Sequence, residues 1–356
     1  PPLRARARAP HVRTHARECA HMRGESSMRP ARRQGQAADG AGSSGFTRPV
    51  CMALWQGALR KPESWAAELR EVARSAITQG AELLLTPELC LPGFHFFGSQ
   101  GFAAEPAAVE AELCGTSAGI ARELGLALCV GYAERRRPHR CASADSASGG
   151  GSGADDEGAA ARDFWNTAVL VDGKGELRLR YRKHHLWGNE GNLGLTASDE
   201  DLQVVDLAFD GPAGPCTIRT SLLICYDVEY PEMVRILACE PHRAELVLVP
   251  TALPYTEPNA ATKIVPARAM ENRIFIAYCN YPCVQRVDGE YFCGHSCIAG
   301  PDAEFVAGPC GWEEEKLLLG NIGWTEHLRW LAEETPYLQD RRPDFYRSQG
   351  HCQEKC

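Results

Sequence analysis

Residues 221–232 read Ser221-Leu222-Leu223-Ile224-Cys225-Tyr226-Asp227-Val228-Glu229-Tyr230-Pro231-Glu232. An apolar run ends abruptly on a cysteine, and acidic residues and a proline follow at once. The pattern predicts a buried strand, a sharp turn and a helix opened by Pro231. Asp227, Glu229 and Glu232 suit the positive N-terminal end of that helix. A thiol at such a junction sits where backbone N–H groups point outward, which favours the thiolate. A sequence presents a nucleophile to a cleft in this way.

Strands and helices alternate on both sides of that stretch. The first strand is read at 51–58. Pro62 opens a helix with Trp65, Leu69, Val72 and Ala76 at helical spacing, capped by Gly80. A strand over 82–88 follows, then a helix carrying Val109, Leu113 and Ile120 that stops at Gly125, then a strand over 126–132. Residues 166–172 and 177–183 form a hairpin around Gly173-Lys174-Gly175. Beyond Cys225 come a helix with Val234 and Leu237, a strand over 245–250, a helix over 264–273 and a strand over 274–278. Two further strands lie near 296–299 and 317–322. This order predicts two α/β layers on a shared core, strands facing strands and helices outside.

Three segments stand apart from the core. Residues 1–48 are rich in Arg, Ala, Gly and Ser and hold only Glu18, Glu25 and Asp39 as acids. They read as disordered, either as an organellar transit peptide or as sequence outside the translated chain, with Met22, Met28 and Met52 as alternative starts. Residues 134–163 include a Ser/Gly-rich low-complexity run. They read as an expanded flexible loop inside one domain spanning 49–323, with an interdomain linker as the alternative. Residues 324–356 show no core of their own and are expected to wrap another surface or a partner subunit.

The 356 residues are 44% hydrophobic and 24% charged, which fits a globular chain. No apolar run approaches the ~20 residues of a membrane-spanning helix, so no membrane partner is expected. A net charge of −8 argues against nucleic acid as a partner. Sixteen cysteines in a chain this long, without a secretory signal, do not suggest a disulfide framework. Cys279, Cys283, Cys293 and Cys297 have a spacing that zinc also uses, but Cys279 and Cys297 read better as small hydrophobes on strands. A free Cys225 implies a reducing compartment: the cytoplasm, or a mitochondrion or plastid if the arginine-rich start is a transit peptide.

An ionisable group stands at the end of a strand in three places: Glu88 after Pro87, Lys183 in Tyr181-Arg182-Lys183-His184-His185-Leu186-Trp187, and Cys225. Ligands bind at such ends in α/β sheets. A thiol needs a base or a positive neighbour. Glu88 is placed to take its proton, and Lys183 with the Tyr226 backbone N–H to hold an oxyanion. Lys183 shares a strand face with Leu177, Leu179 and Tyr181, while Arg178, Arg180 and Arg182 point the other way. An inward lysine requires an anionic partner, and Glu88 supplies one. Trp187, Tyr255, Phe94 and Phe96 are candidates for lining a substrate pocket or for anchoring loops. His184, His185 and His295 permit a Cys–His hydrolase, although no papain-type local signature surrounds Cys225.

Pro87-Glu88, the run from Tyr181 to Leu186, and Cys225-Tyr226-Asp227 resemble the three motifs of the nitrilase superfamily, the carbon–nitrogen hydrolases. Asn166-Thr167-Ala168-Val169, Val249-Pro250-Thr251, the stretch 266–273 and Ile298-Ala299-Gly300-Pro301-Asp302 add to the resemblance, which runs from about 51 to 346. It implies a four-layer αββα sandwich pairing into αββα–αββα dimers or larger homo-oligomers. It implies Cys225 as nucleophile, Glu88 as base then acid, and Lys183 as oxyanion stabiliser, with no metal or organic cofactor. The implied reaction is hydrolysis of a small carboxamide through a thioester. Many members carry a second glutamate a few residues after the lysine, and Glu190 is the candidate here, with a solvated loop acid as the alternative. Tyr226 and Asp227 after the cysteine, with Ala267-Arg268-Ala269-Met270-Glu271-Asn272 and the run 340–346, resemble the amidase side more than true nitrilases. An N-carbamoyl amidohydrolase and a scaffold without turnover are the alternative functions.

Overall fold

The computed structural model describes residues 45–59, 64–91, 107–136, 164–211, 213–285 and 289–349. Pro62, Phe94, Phe96, nearly all of the arginine-rich start and most of the 134–163 loop lie outside the described residues.

Two mixed sheets form the centre. The strands of the first are β1 (Val50–Gln56), β2 (Leu83–Leu85), β3 (Ala127–Arg135), β4 (Phe164–Val171), β5 (Leu177–Arg182) and the short β6 (Leu195–Thr196). The second holds β7 (Val205–Gly211), β8 (Gly214–Leu222), β9 (Leu246–Pro250), β10 (Phe275–Cys279), β11 (Cys297–Ala299) and β12 (Phe305–Ala307). The last strand, β13 (Lys316–Ile322), returns to the first sheet. The strand orders are β13-β1-β2-β3-β4-β5, with β6 beside β4, and β12-β11-β10-β9-β8-β7.

Period-two alternation explains the layers. Met52, Leu54, Leu83, Leu85, Ala127, Cys129, Ala168 and Leu170 share a core with Leu207, Ile218, Val247 and Ile276 of the other sheet. Ala53, Trp55, Leu84, Leu128 and Val130 instead meet α1 (Trp65–Thr78) and α2 (Ala107–Leu124). α1 turns Trp65, Leu69, Ala73 and Ala76 inward, a helical stripe. On the far side, α3 (Pro231–Ala238) and α4 (Val265–Asn272) cover the second sheet with Val234, Leu237, Val265 and Ala269. The order helix, sheet, sheet, helix is the expected αββα sandwich. Each fully buried Leu or Val contributes roughly 1.5–3 kcal/mol. No helix among the described residues is long and apolar enough to cross a membrane.

The structure differs from the sequence reading in three places. The pair β7–β8 was not read, although Leu207, Phe209, Cys216 and Ile218 alternate with exposed residues along it. β13 does not extend the second layer; it pairs antiparallel with β1, from Val50–Ile322 to Gln56–Lys316, and covers that edge. The strand before Cys225 ends at Leu222, and a 3-10 turn, Cys225–Glu229, separates it from α3.

The C-terminal segment carries α5 (Glu326–Glu334) and α6 (Pro343–Ser348). Leu328 joins the inter-sheet core, and Trp324 and Leu338 pack against it. Arg273 holds the segment by donating to the Pro301 and Thr335 carbonyls at 2.8 and 3.2 Å and by stacking over Tyr337.

Strand direction brings the chemistry to one end. β1, β2 and β3 are mutually parallel, as are β8, β9 and β10. β4 reverses against β3, and β5 reverses again, so β5 runs with β3. The C-terminal ends of β2 and β5 and the start of β4 therefore lie together. Close backbone approach matters here: a Cβ on Gly131 of β3 would lie 2.7 Å from the Leu89 nitrogen. Gly131→Ala is expected to lower stability by about 1–3 kcal/mol and to displace Glu88. Urea unfolding checks this, and an unchanged midpoint would show that the 88–90 turn yields freely.

Candidate active site

Glu88 lies in the turn just beyond β2, and residues following β9 and β10 of the other sheet hold its backbone. Its N–H donates to the Thr251 carbonyl at 3.2 Å, and the Tyr281 hydroxyl donates to its carbonyl at 2.9 Å. The side chain is 1% exposed. Oε1 accepts from Asn166 Nδ2 at 2.5 Å and from Lys183 Nζ at 2.8 Å. Oε2 is buried and has no hydrogen-bond partner among the described residues. A buried acceptor left unpaired costs about 1–3 kcal/mol, so this oxygen is open to a further donor.

Lys183 follows β5 and is fully buried. Its backbone is pinned on both sides, the N–H to the Asn166 carbonyl at 2.8 Å and the carbonyl to the Ser198 N–H at 2.9 Å. Nζ reaches Glu88 Oε1 and, at 2.7 Å, Glu190 Oε1. Two of its three N–H groups are thus engaged and one is spare. Burial works against the ammonium, but Glu190, Glu88 and Cys225 outweigh it, and Lys183 stays charged well above its ordinary range. The outward arginines behave as read: Arg182 pairs with Glu134 and Glu200, and Arg178 with Asp172.

Glu190 is brought to the lysine by the tight turns of 187–195. Its Oε2 accepts from the Trp187 N–H at 2.9 Å, and its carbonyl accepts from the N–H groups of Leu193 and Leu195. It is a buried partner of Lys183, 6% exposed, not a solvated loop acid.

Cys225 opens the 3-10 turn with φ at +48°, a left-handed conformation that only surrounding contacts sustain in a residue with a side chain. The first bond within the turn runs from the Asp227 N–H to the Ile224 carbonyl. The Tyr226 N–H precedes it and belongs to the open donors at a helix start. The thiol does not match the thiolate expectation. Burial pushes it well above the ordinary range and Glu88 adds to that, against the pull of Lys183 and of the Ala252 N–H. Desolvation of the anion outweighs the local dipole.

Asp227 does more than the sequence reading assigned to it. It does not sit at the start of α3. Its fully buried carboxylate accepts from the Tyr181 hydroxyl at 2.7 Å, the His185 N–H at 2.8 Å and the His184 N–H at 3.3 Å. It clamps the Lys183 segment to the cysteine turn. His185 Nδ1 also lies 2.8 Å from Asp227, and His184 is bound between the Tyr181 hydroxyl and the Glu200 carbonyl. These two histidines are occupied in structural bonds, which removes support for either of them as a base to Cys225.

Trp187 borders the cluster through its N–H bond to Glu190. Tyr255, 55% exposed, lies on the loop after β9, three residues past Ala252, with its ring tilted against Trp312 at 5.3 Å. It is not brought into the buried cluster. Cys279 and Cys297 are buried on β10 and β11, with thiols directed at backbone carbonyls. Asn166 and Tyr281 were given no role from sequence. Only Asn166 carried a signal, an amide opening an apolar strand.

A model of the carbon–nitrogen hydrolase family matches residues 51–325. A hydrolase encoded in the pqqF 5′ region of Pseudomonas protegens is 34% identical, covering 78% of this chain and 83% of its own length. A 2-oxoglutaramate amidase of Paenarthrobacter nicotinovorans is 33% identical over 54% of this chain and 62% of its own length. The solved amidase from Nesterenkonia sp. superposes with a TM-score of 0.64 at 31% identity, covering 84% of this chain and 96% of that one. A variant of that amidase has been solved with the acetamide moiety of fluoroacetamide added covalently at its active-site cysteine.

Alkylation of Cys225 by iodoacetamide should accelerate with pH through an inflection above the ordinary thiol value of ~8.5. A plateau already reached at neutral pH would contradict a resting thiol. Motif order, sandwich topology and relatives agree: the chain belongs to the carbon–nitrogen hydrolase family, on the amidase side of the nitrilase superfamily.

Proposed function

We propose that the protein hydrolyses a small linear carboxamide through a thioester on Cys225 and releases ammonia. One observation carries the reading: Glu88 spends Oε1 on Asn166 and Lys183 and leaves a buried Oε2 unpaired, in a site whose thiol burial keeps protonated.

The steps follow from these positions. Glu88 takes the thiol proton as the sulfur attacks the amide carbon. The developing oxyanion meets the spare N–H of the fully buried Lys183 and the Tyr226 N–H, donors already in place. Glu88 returns the proton to nitrogen, the C–N bond breaks, and ammonia leaves a thioester. Water then attacks the thioester carbon and gives a proton to Glu88, which passes it to the departing sulfur. Glu190 is a positioning residue: its bonds to Lys183 and to the Trp187 N–H hold Nζ at one point. Similarity to a 2-oxoglutaramate amidase supports a primary amide as the bond cleaved.

Cys225→Ala is expected to abolish ammonia release across a panel of carboxamides while circular dichroism and melting stay as in the parent. Turnover in that variant would overturn the nucleophile assignment. Glu88→Gln should lose about 10²–10⁴ in kcat/KM. An undiminished rate in that variant would assign the proton transfer to another group.

A further inference from the structure

β4 carries an amide at the end of an apolar face. Ala168 and Leu170 turn into the inter-sheet core, and by period-two alternation Asn166 shares their side of the strand. Thr167, on the other side, donates to Glu134 Oε2 at 2.9 Å. Asn166 is fully buried. Its Nδ2 donates to Glu88 Oε1 at 2.5 Å, and its backbone carbonyl accepts from the Lys183 N–H at 2.8 Å. One residue thus touches both the candidate base and the backbone that delivers the candidate oxyanion donor.

Stability does not account for this amide. Its Oδ1 is buried and has no hydrogen-bond partner among the described residues. An unpaired buried acceptor is destabilising, and an apolar side chain of similar shape removes it. Glu88 Oε1 would still have Lys183 as a donor. The backbone bond from Lys183 needs no particular side chain at position 166. What the amide adds is a second donor on Oε1.

That donor matters because of how carboxylates turn. The torsion that sets the plane of a glutamate carboxylate is broad and roughly two-fold. An ammonium is a compact charge with three rotatable donors and serves either oxygen equally. Lys183 alone therefore fixes a distance and not a plane. The planar amide of Asn166 adds a second direction on the same oxygen, so Oε1 is held and Oε2 is the open acceptor. We propose that Asn166 is a positioning residue: by holding Oε1 it makes Glu88 Oε2 the atom that takes the Cys225 proton. The O–H bond forms at Oε2 as the S–H bond breaks, and sulfur keeps the electron pair for its attack on the amide carbon. The same oxygen then returns the proton to the leaving nitrogen. This role rests on the proposed amidase reading and deepens it, naming the Glu88 oxygen that acts.

Kinetics are read on whichever of acetamide, propionamide, butyramide and succinamate the parent turns over fastest. Asn166→Leu is close in size and donates nothing. It is expected to lower kcat about 10–100-fold, the cost of a misplaced reacting group, with KM unchanged and melting unchanged or raised. If Asn166→Leu does not fold, Asn166→Ala carries the same expected split. In a Glu88→Gln background, Asn166→Leu should cost no more than about twofold, because it acts through Glu88. A kcat equal to the parent's, a loss confined to KM, or a full loss repeated in the Glu88→Gln background would overturn the proposal. Ammonia release by the parent tests the amidase reading separately. A parent that hydrolyses one of these amides while Asn166→Leu keeps its kcat refutes the positioning role alone. A parent inactive on all of them counts against the amidase reading and takes the positioning role with it.

Discussion

The Lys183 ammonium, wholly buried between two carboxylates, is the constraint around which the site is built. Removing an isolated charge from water costs several kcal/mol even after relaxation. Here Glu88 and Glu190 offset that cost, and each needs its own backbone arrangement to arrive. Glu88 needs the turn after β2, held by Thr251 and Tyr281 of the opposite sheet. Glu190 needs the consecutive tight turns of 187–195. A lysine placed this way is single-valued in position, which suits the proposed role of meeting an oxyanion without reorganising.

Asp227 supplies the second constraint. Three donors from residues 181–185 converge on its carboxylate, so the end of β5 and the turn after β8 are locked to each other across the sandwich. That lock helps sustain the left-handed φ of Cys225, a conformation costing on the order of 1–3 kcal/mol unless the surroundings impose it. Burial and the nearby Glu88 push the Cys225 thiol up, against the pull of Lys183, which gives the proposed base a task that a pre-formed thiolate would not require.

Much of this was legible along the chain because it is local. Trp65, Leu69 and Ala76 mark a helix by spacing alone, and the hairpin around Gly173-Lys174-Gly175 announces itself through turn residues. The inward direction of Lys183 follows from alternation with Arg178, Arg180 and Arg182. What escaped was non-local. The alternation of β7 and β8 was visible but was outweighed by the apolar run before Cys225. The return of β13 to the edge of β1 bridges more than 260 residues, and no local pattern encodes which edge a late strand will cover. Asp227 read as a helix-end acid because a sequence shows which charges lie near a helix start, not which distant donors a fold will carry to them.

By itself the sequence determined the αββα class, the family, and three strand ends bearing Glu88, Lys183 and Cys225, since periodicity and motif order are properties of neighbouring residues. Tertiary structure alone decided that Glu190 is a buried partner of Lys183, that Asp227 is a clamp, that one Glu88 oxygen has no partner among the described residues, and that burial pushes the thiol up. Each of these depends on burial and on distances between segments far apart in the chain. Desolvation and hydrogen-bond pairing come into being only when those segments meet.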